Sequence, residues 1–188
     1  WDTSNITSGN PFVACGDATT GCIFTLPDLD FSSHTSFNNF FNAAKINTID
    51  VSGWTLRAAG VNCTNLFYNV DAASGETFAL DLSSWTNTSG ITNMYSAFRA
   101  CSTMTSLNLT GWDTSGVTSW ALGFYQCYEL TEIIGLNGLS AAALTGSACS
   151  STFNGCNKLD FGTHNFGTSW GPNLGNVTIF SDMFANVG

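Results

Sequence analysis

Charge is what this sequence has least of. Only 9% of its 188 residues are charged, with 4 Lys and Arg against 13 Asp and Glu, for a formal charge of −9. Nucleic-acid binding runs on clustered Lys and Arg, so that class of partner is excluded. Long apolar runs are missing too. The longest charge-free stretch, 133–157, carries Asn, Ser, Thr and Gly throughout, and no membrane insertion is expected of it. Glutamates number three (Glu76, Glu129, Glu132) and are not set out as a glycosidase pair; histidines number two. There is no Gly-x-Ser-x-Gly elbow, no P-loop and no dinucleotide fingerprint, so no enzyme is expected and no cofactor. Paired Cys-x-x-Cys spacings, which a zinc site would use, are also absent. An initiator Met and a basic-then-apolar leader are lacking, which reads as a processed product or an excerpt.

What is present is repetition. The phrase "WDTSNIT" (1–7) returns as "WTNTSGIT" (85–92) and "WDTSGVT" (112–118). Phe-x-x-Cys recurs as "FVAC" (12–15), "FRAC" (98–101), "FYQC" (124–127) and "FNGC" (153–156), with looser copies at 41–44, 67–70 and 184–187. The anchors are Phe12, Phe41, Phe67, Phe98, Phe124, Phe153 and Phe184, 26 to 31 residues apart. Periods of this length mean stacked supersecondary units. Apolar residues at −7 and −4 from the anchor, as in Ile91/Met94/Phe98, Val117/Trp120/Phe124 and Val177/Phe180/Phe184, form a stripe with helical spacing. After each of the first six anchors comes an alternating phrase, "LDF" (29–31), "IDV" (49–51), "LDL" (80–82), "LNL" (107–109), "EIIG" (132–135) and "LDF" (159–161). Such alternation predicts a strand with its apolar residue inward and its Asp or Asn outward.

A unit of strand, Trp-bearing turn, short helix or helical turn and Phe-x-x-Cys cannot bury its own face, but stacked copies can. The expected fold is therefore one solenoid domain over 1–188 of leucine-rich-repeat type. It has six to seven irregular coils, a parallel sheet on one face and short helices or helical turns on the other. Inserted loops are expected at 15–28 and 70–79. The anchor phenylalanines form an internal ladder. Open ends suggest a piece of a longer array, or self-association through the exposed terminal coils.

"LNLTGWDTSGVTSWALGFYQC" and "LDLSSWTNTSGITNMYSAFRAC" resemble the BspA-like leucine-rich repeats of bacterial surface proteins. That resemblance implies a surface-exposed protein associated with adhesion and with host or protein contact.

Cys101, Cys127 and Cys156 sit three after an anchor, as does Cys15, while Cys63 and Cys149 sit four before one; these read as core slots. Cys22 lies outside the frame in "CGDATTGC", where it is either a disulfide partner of Cys15 or a free thiol. His34 and His164 fall five residues after the first apolar strand residue, the offset of Trp54, Trp85 and Trp112, and read as partly buried rings that replace the turn Trp and cap the coil. Five Asn-x-Ser/Thr sequons (Asn5, Asn62, Asn87, Asn108, Asn176) match what 19 Asn and the Ser/Thr content give at random.

The outward strand positions, Asp30, Asp50, Asp81, Asn108 and Asp160, are the candidate binding residues. Asp30, Asp50 and Asp81 would form an acidic row suited to a basic partner, or more weakly to Ca²⁺. The function expected is recognition or adhesion outside the cell or on a particle surface, toward a protein or glycan. The alternative is a building block of an extracellular filament, appendage or virion surface.

Overall fold

The computed structural model describes residues 9–135, 140, 142–160 and 176–187. Among these described residues ten short strands follow one another: β1 (Cys22–Thr25), β2 (Asp30–Phe31), β3 (Lys45–Asp50), β4 (Thr55–Leu56), β5 (Val61–Asn62), β6 (Asp71–Ala72), β7 (Phe78–Asp81), β8 (Ile91–Asn93), β9 (Met104–Asn108) and β10 (Glu132–Ile134). Every pairing among them is parallel, in the orders β1-β3-β6, β7-β9-β10, β2-β4 and β5-β8. Each strand thus pairs with its counterpart in another coil, and the molecule is a parallel β-solenoid.

Alternation does set the sheet face. Leu80, Leu107 and Ile133 share one register row and are buried, while their neighbours Asp81 and Ile134 are exposed. After the strand the chain turns at a Trp. Trp54, Trp85 and Trp112 stack at 4.9 and 5.7 Å, and each indole Nε1 donates to a carbonyl one coil back, of Leu26, Val51 and Leu82 respectively. A buried indole needs an acceptor for its N–H, and the preceding coil supplies it.

The expected helical face is not seen among the described residues. Among the described residues the helical structure consists of two single 3-10 turns, Ala73–Gly75 and Thr88–Gly90. The run around each anchor Phe alternates its donors instead. Met94, Ser96, Phe98 and Ala100 donate across to Ser119, Ala121, Gly123 and Tyr125 of the next coil, while Ala97, Arg99 and Cys101 donate back three residues to Met94, Ser96 and Phe98. The same alternation runs through 37–44 and 120–127. Residues two before and two after the anchor hold left-handed backbone: Asn39 and Ala43, Asn65 and Asn69, Ser96 and Ala100, Leu122 and Gln126, Ser151 and Gly155, Asp182 and Asn186. An α-helix tolerates no such residue in its interior, and its i to i−4 bonds would leave no donors for the neighbouring coil. In two of the three expected sets the apolar stripe is buried, with Ile91, Met94, Phe98, Val117, Trp120 and Phe124 inside, because successive turns carry these side chains inward; in the third Val177 is buried while Phe180 and Phe184 are exposed.

The seven anchor rings stack in sequence, from Phe12 on Phe41 at 5.2 Å to Phe153 on Phe184 at 5.8 Å, with every interplanar angle 14° or less. Phe41, Phe67, Phe98, Phe124 and Phe153 are fully buried, whereas Phe184 is 43% exposed. Three thiols run beside this stack. Cys101, Cys127 and Cys156 donate S–H to the carbonyls of Phe67, Phe98 and Phe124, each one coil back, at 2.9 to 3.1 Å. The third position after the anchor therefore selects a small apolar side chain that carries a weak donor.

Two loop expectations shift. Residues 22–25 belong to the sheet, so the first insertion shortens to 15–21, where Cys15 and Cys22 are joined by a disulfide with Cα atoms 6.1 Å apart. Cys15 is accordingly a bonded cysteine and not a free core thiol. Asp71–Ala72 and Phe78 also belong to strands, so the second insertion shortens to 73–77, and it leans on the first: Ser74 donates from its N–H to the Ala18 carbonyl and from its hydroxyl to that of Thr19.

Candidate functional site

The acidic positions have a local cause. In "DFS", "DVS", "DLS" and "NLT" the Asp or Asn oxygen accepts the backbone N–H two residues on: Asp30 from Ser32, Asp50 from Ser52, Asp81 from Ser83 and Asn108 from Thr110, at 2.8 to 3.1 Å. Asn62, Asn93 and Asp113 do the same for Thr64, Tyr95 and Ser115. These are Asx turns, which end a strand by giving the backbone a side-chain partner. The Ser52 hydroxyl and then its N–H hold the Asp50 carboxyl below its ordinary value. For Asp81 the Ser83 hydroxyl leads, with the Ser83 N–H and the Asn108 side chain adding to it against slight desolvation.

The row these residues form is not the expected one. Thr25, not Asp30, is the register partner of Asp50, and Asp30 pairs with Thr55 instead. The Trp bonds give the same frame, since the accepting Leu26, Val51 and Leu82 directly follow Thr25, Asp50 and Asp81. The outward row therefore reads Thr25, Asp50, Asp81, Asn108, Ile134, and Asp30 lies beyond the Trp corner. The "LDF" of 29–31 matches the sheet phrase in letters, but "FTL" of 24–26 occupies its place. His34 changes role for the same reason: Leu29 holds the Trp slot, because Thr55, which follows Trp54, donates its N–H to the Leu29 carbonyl. His34 is nonetheless fully buried, against Phe31, Phe37 and Phe40. Asp160 is exposed and lies in no described strand. Trp1, Asn5 and His164 lie outside the described residues.

With Asp30 displaced, the three carboxylates do not converge on one ion. Among the described residues no three His, Cys, Asp or Glu side chains come together as a metal would need. Nor is any helix among them long and apolar enough to cross a membrane.

A buried charge cluster escaped the sequence reading. Asp71, whose side chain is 10% exposed, accepts from Lys45 Nζ at 2.8 Å, from the Ser102 hydroxyl at 2.8 Å and from the Thr103 N–H at 3.1 Å. Desolvation pushes its carboxyl up, but Lys45 and then Ser102 outweigh that, and the group sits below its ordinary value. The signal was in the repeat frame. Lys45, Asp71 and Ser102 each lie four after an anchor Phe, so stacking brings them together. This cluster fastens three coils and offers no open face for chemistry.

A family model described as "Mycoplasma protein of unknown function, DUF285" matches residues 35–159, which is 125 of the 188 residues. No curated protein and no solved structure matches the chain.

Proposed function

The chain belongs to the DUF285 family, and on that premise we propose that it is a non-catalytic recognition or adhesion module of an extracellular or particle surface. In the finer reading it is a surface protein of the BspA-like leucine-rich-repeat kind, binding a protein or glycan partner. One observation carries this reading: apart from the turn bonds, the outward row of Thr25, Asp50, Asp81 and Asn108 is spare to the packing, while the inward positions are taken up by stacked rings. A rigid scaffold holding a polar edge is how repeat proteins present a binding surface.

The test separates charge from folding. Asn already ends strands at Asn62, Asn93 and Asn108, so the triple variant Asp30→Asn, Asp50→Asn, Asp81→Asn keeps every Asx turn and removes three charges. Capture of intact cell-surface material should fall in this variant while its melting curve is retained. Undiminished capture would move binding off the acidic positions. A melting temperature that rises with Ca²⁺ would favour the metal instead.

The building-block reading draws on a different observation. Phe184 is 43% exposed at the end of the ring stack, and Ile179 and Phe180 beside it are 49% and 44% exposed. A further coil or a second copy laid on this end would cover them. Ordered polymers at high concentration, seen by electron microscopy, would favour it.

A further inference from the structure

Beyond the acidic row, the turn runs carry an aromatic ridge. The residue after each anchor is Tyr68, Arg99, Tyr125 and Asn154 on successive coils, and the Arg99 guanidinium lies between two rings, 5.5 Å from the Tyr68 centroid and 5.2 Å from that of Tyr125. Past Tyr125 the ridge opens into a groove of about 520 Å³ walled by Tyr125, Tyr128, Asn154, Asn157 and Asn186. Its floor is Gly155. In other coils this slot, two after the anchor, holds Ala43, Asn69, Ala100, Gln126 and Asn186, all with left-handed backbone like Gly155. A side chain on Gly155 would begin 3.3 Å from Gln126 Cα and 3.4 Å from the Tyr128 ring, so its absence keeps the groove open.

The lining chemistry is specific. Among the described residues it combines two phenol rings with four primary amides and holds no charged side chain. Of the flanking charged groups, Lys158 and Glu129 pair with each other at 2.5 Å, while the Arg99 guanidinium is held against the Tyr125 ring. A primary amide offers a donor and an acceptor side by side, which suits adjacent hydroxyls on a ring, and an aromatic face suits the C–H face of a sugar. The volume falls within the range of small-molecule sites and fits one or two sugar rings. The strongly negative net charge of the protein disfavours anionic saccharides.

We propose that this groove is a binding site for uncharged glycan, with Tyr128 and Tyr125 as the stacking platform and Asn154 and Asn186 as the hydroxyl-reading groups, while the Asn157 amide donates to the Asn186 and Gly155 carbonyls and braces the wall. The proposal rests on the recognition reading but uses a different surface from the acidic row. Without a carboxylate in its lining, the groove binds sugar and does not hydrolyse it.

The test uses the full chain on an array of neutral galactose-, mannose- and N-acetylglucosamine-terminated oligosaccharides beside sialylated and sulfated ones. Binding should be confined to neutral members. Tyr128→Ala should weaken it about tenfold or more. So should Gly155→Asn, a residue type that already holds this backbone at Asn69 and Asn186 and that would fill the groove. The acidic-row triple variant should bind glycan as the parent does. Binding only to anionic members, no binding to any member, or neutral binding indifferent to both groove variants overturns the proposal. In each of those cases, protein capture lost in the triple variant would still uphold the recognition reading.

Discussion

Left-handed backbone at alanine, serine, leucine and glutamine costs about 1–2 kcal/mol per residue, yet it recurs on both sides of every described anchor from Phe41 onward. Stacking enforces it, because only this alternation lets every second N–H reach the neighbouring coil. Ala100→Gly should therefore raise the free energy of unfolding by up to about 1 kcal/mol, since relief of strain outweighs the added freedom of the unfolded chain. Ala100→Val should lower it by about 1–3 kcal/mol. Urea titration of both variants checks the pair. In hindsight the sequence hints at this conformation: none of the left-handed residues flanking the anchors is β-branched, and Asn or Asp fills five of them. The helical spacing of the apolar stripe hid the hint, because stacked turns and a helix both return a side chain inward after three or four residues.

Asp71 makes the second residue-scale prediction. Its folded carboxyl sits below the unfolded value near 3.9, so its contribution is complete above that pH and is lost as pH falls through the lower folded value. Acid melts should steepen below about pH 4 in the parent and flatten there in Asp71→Asn. Removing one partner of this partly buried pair should cost about 1–3 kcal/mol at neutral pH. Equal acid profiles for the two proteins would remove Asp71 from its place at the junction of three coils.

At the scale of elements, strands were legible and their register was not. Leu-Asp-Phe at 29–31 and Leu-Asp-Leu at 80–82 look alike, because an Asx turn after an apolar residue is written the same way on either side of the Trp corner. What distinguishes them is long-range: the Trp54 indole reaches Leu26 and fixes which phrase lies in the sheet. The ring ladder follows from anchor spacing alone. Phe124→Ala should cost about 3–5 kcal/mol, read from the denaturation midpoint, because it opens a void between two stacked rings. The milder Trp85→Phe keeps the stack and leaves the Val51 carbonyl unpaired, for a loss of about 1–3 kcal/mol.

For the whole molecule, the buried thiols report integrity. Desolvation pushes the Cys149 and Cys156 thiols up to about 11 and about 12, and raises Cys63, Cys101 and Cys127 as well. Five free cysteines should accordingly resist alkylation at pH 8 in native protein and react together in denaturant. Fast labelling of Cys101 or Cys127 before unfolding would mean a loose stack.

The central claim is that coils are joined through the anchor runs, with no helical face among the described residues, and scalar couplings across hydrogen bonds in isotope-labelled protein test it most directly. The solenoid predicts couplings from the Phe98 amide to the Gly123 carbonyl and from the Ala100 amide to the Tyr125 carbonyl. Couplings from Phe98 to Met94 and from Ala100 to Ser96, the i to i−4 pattern of a helix, would contradict it.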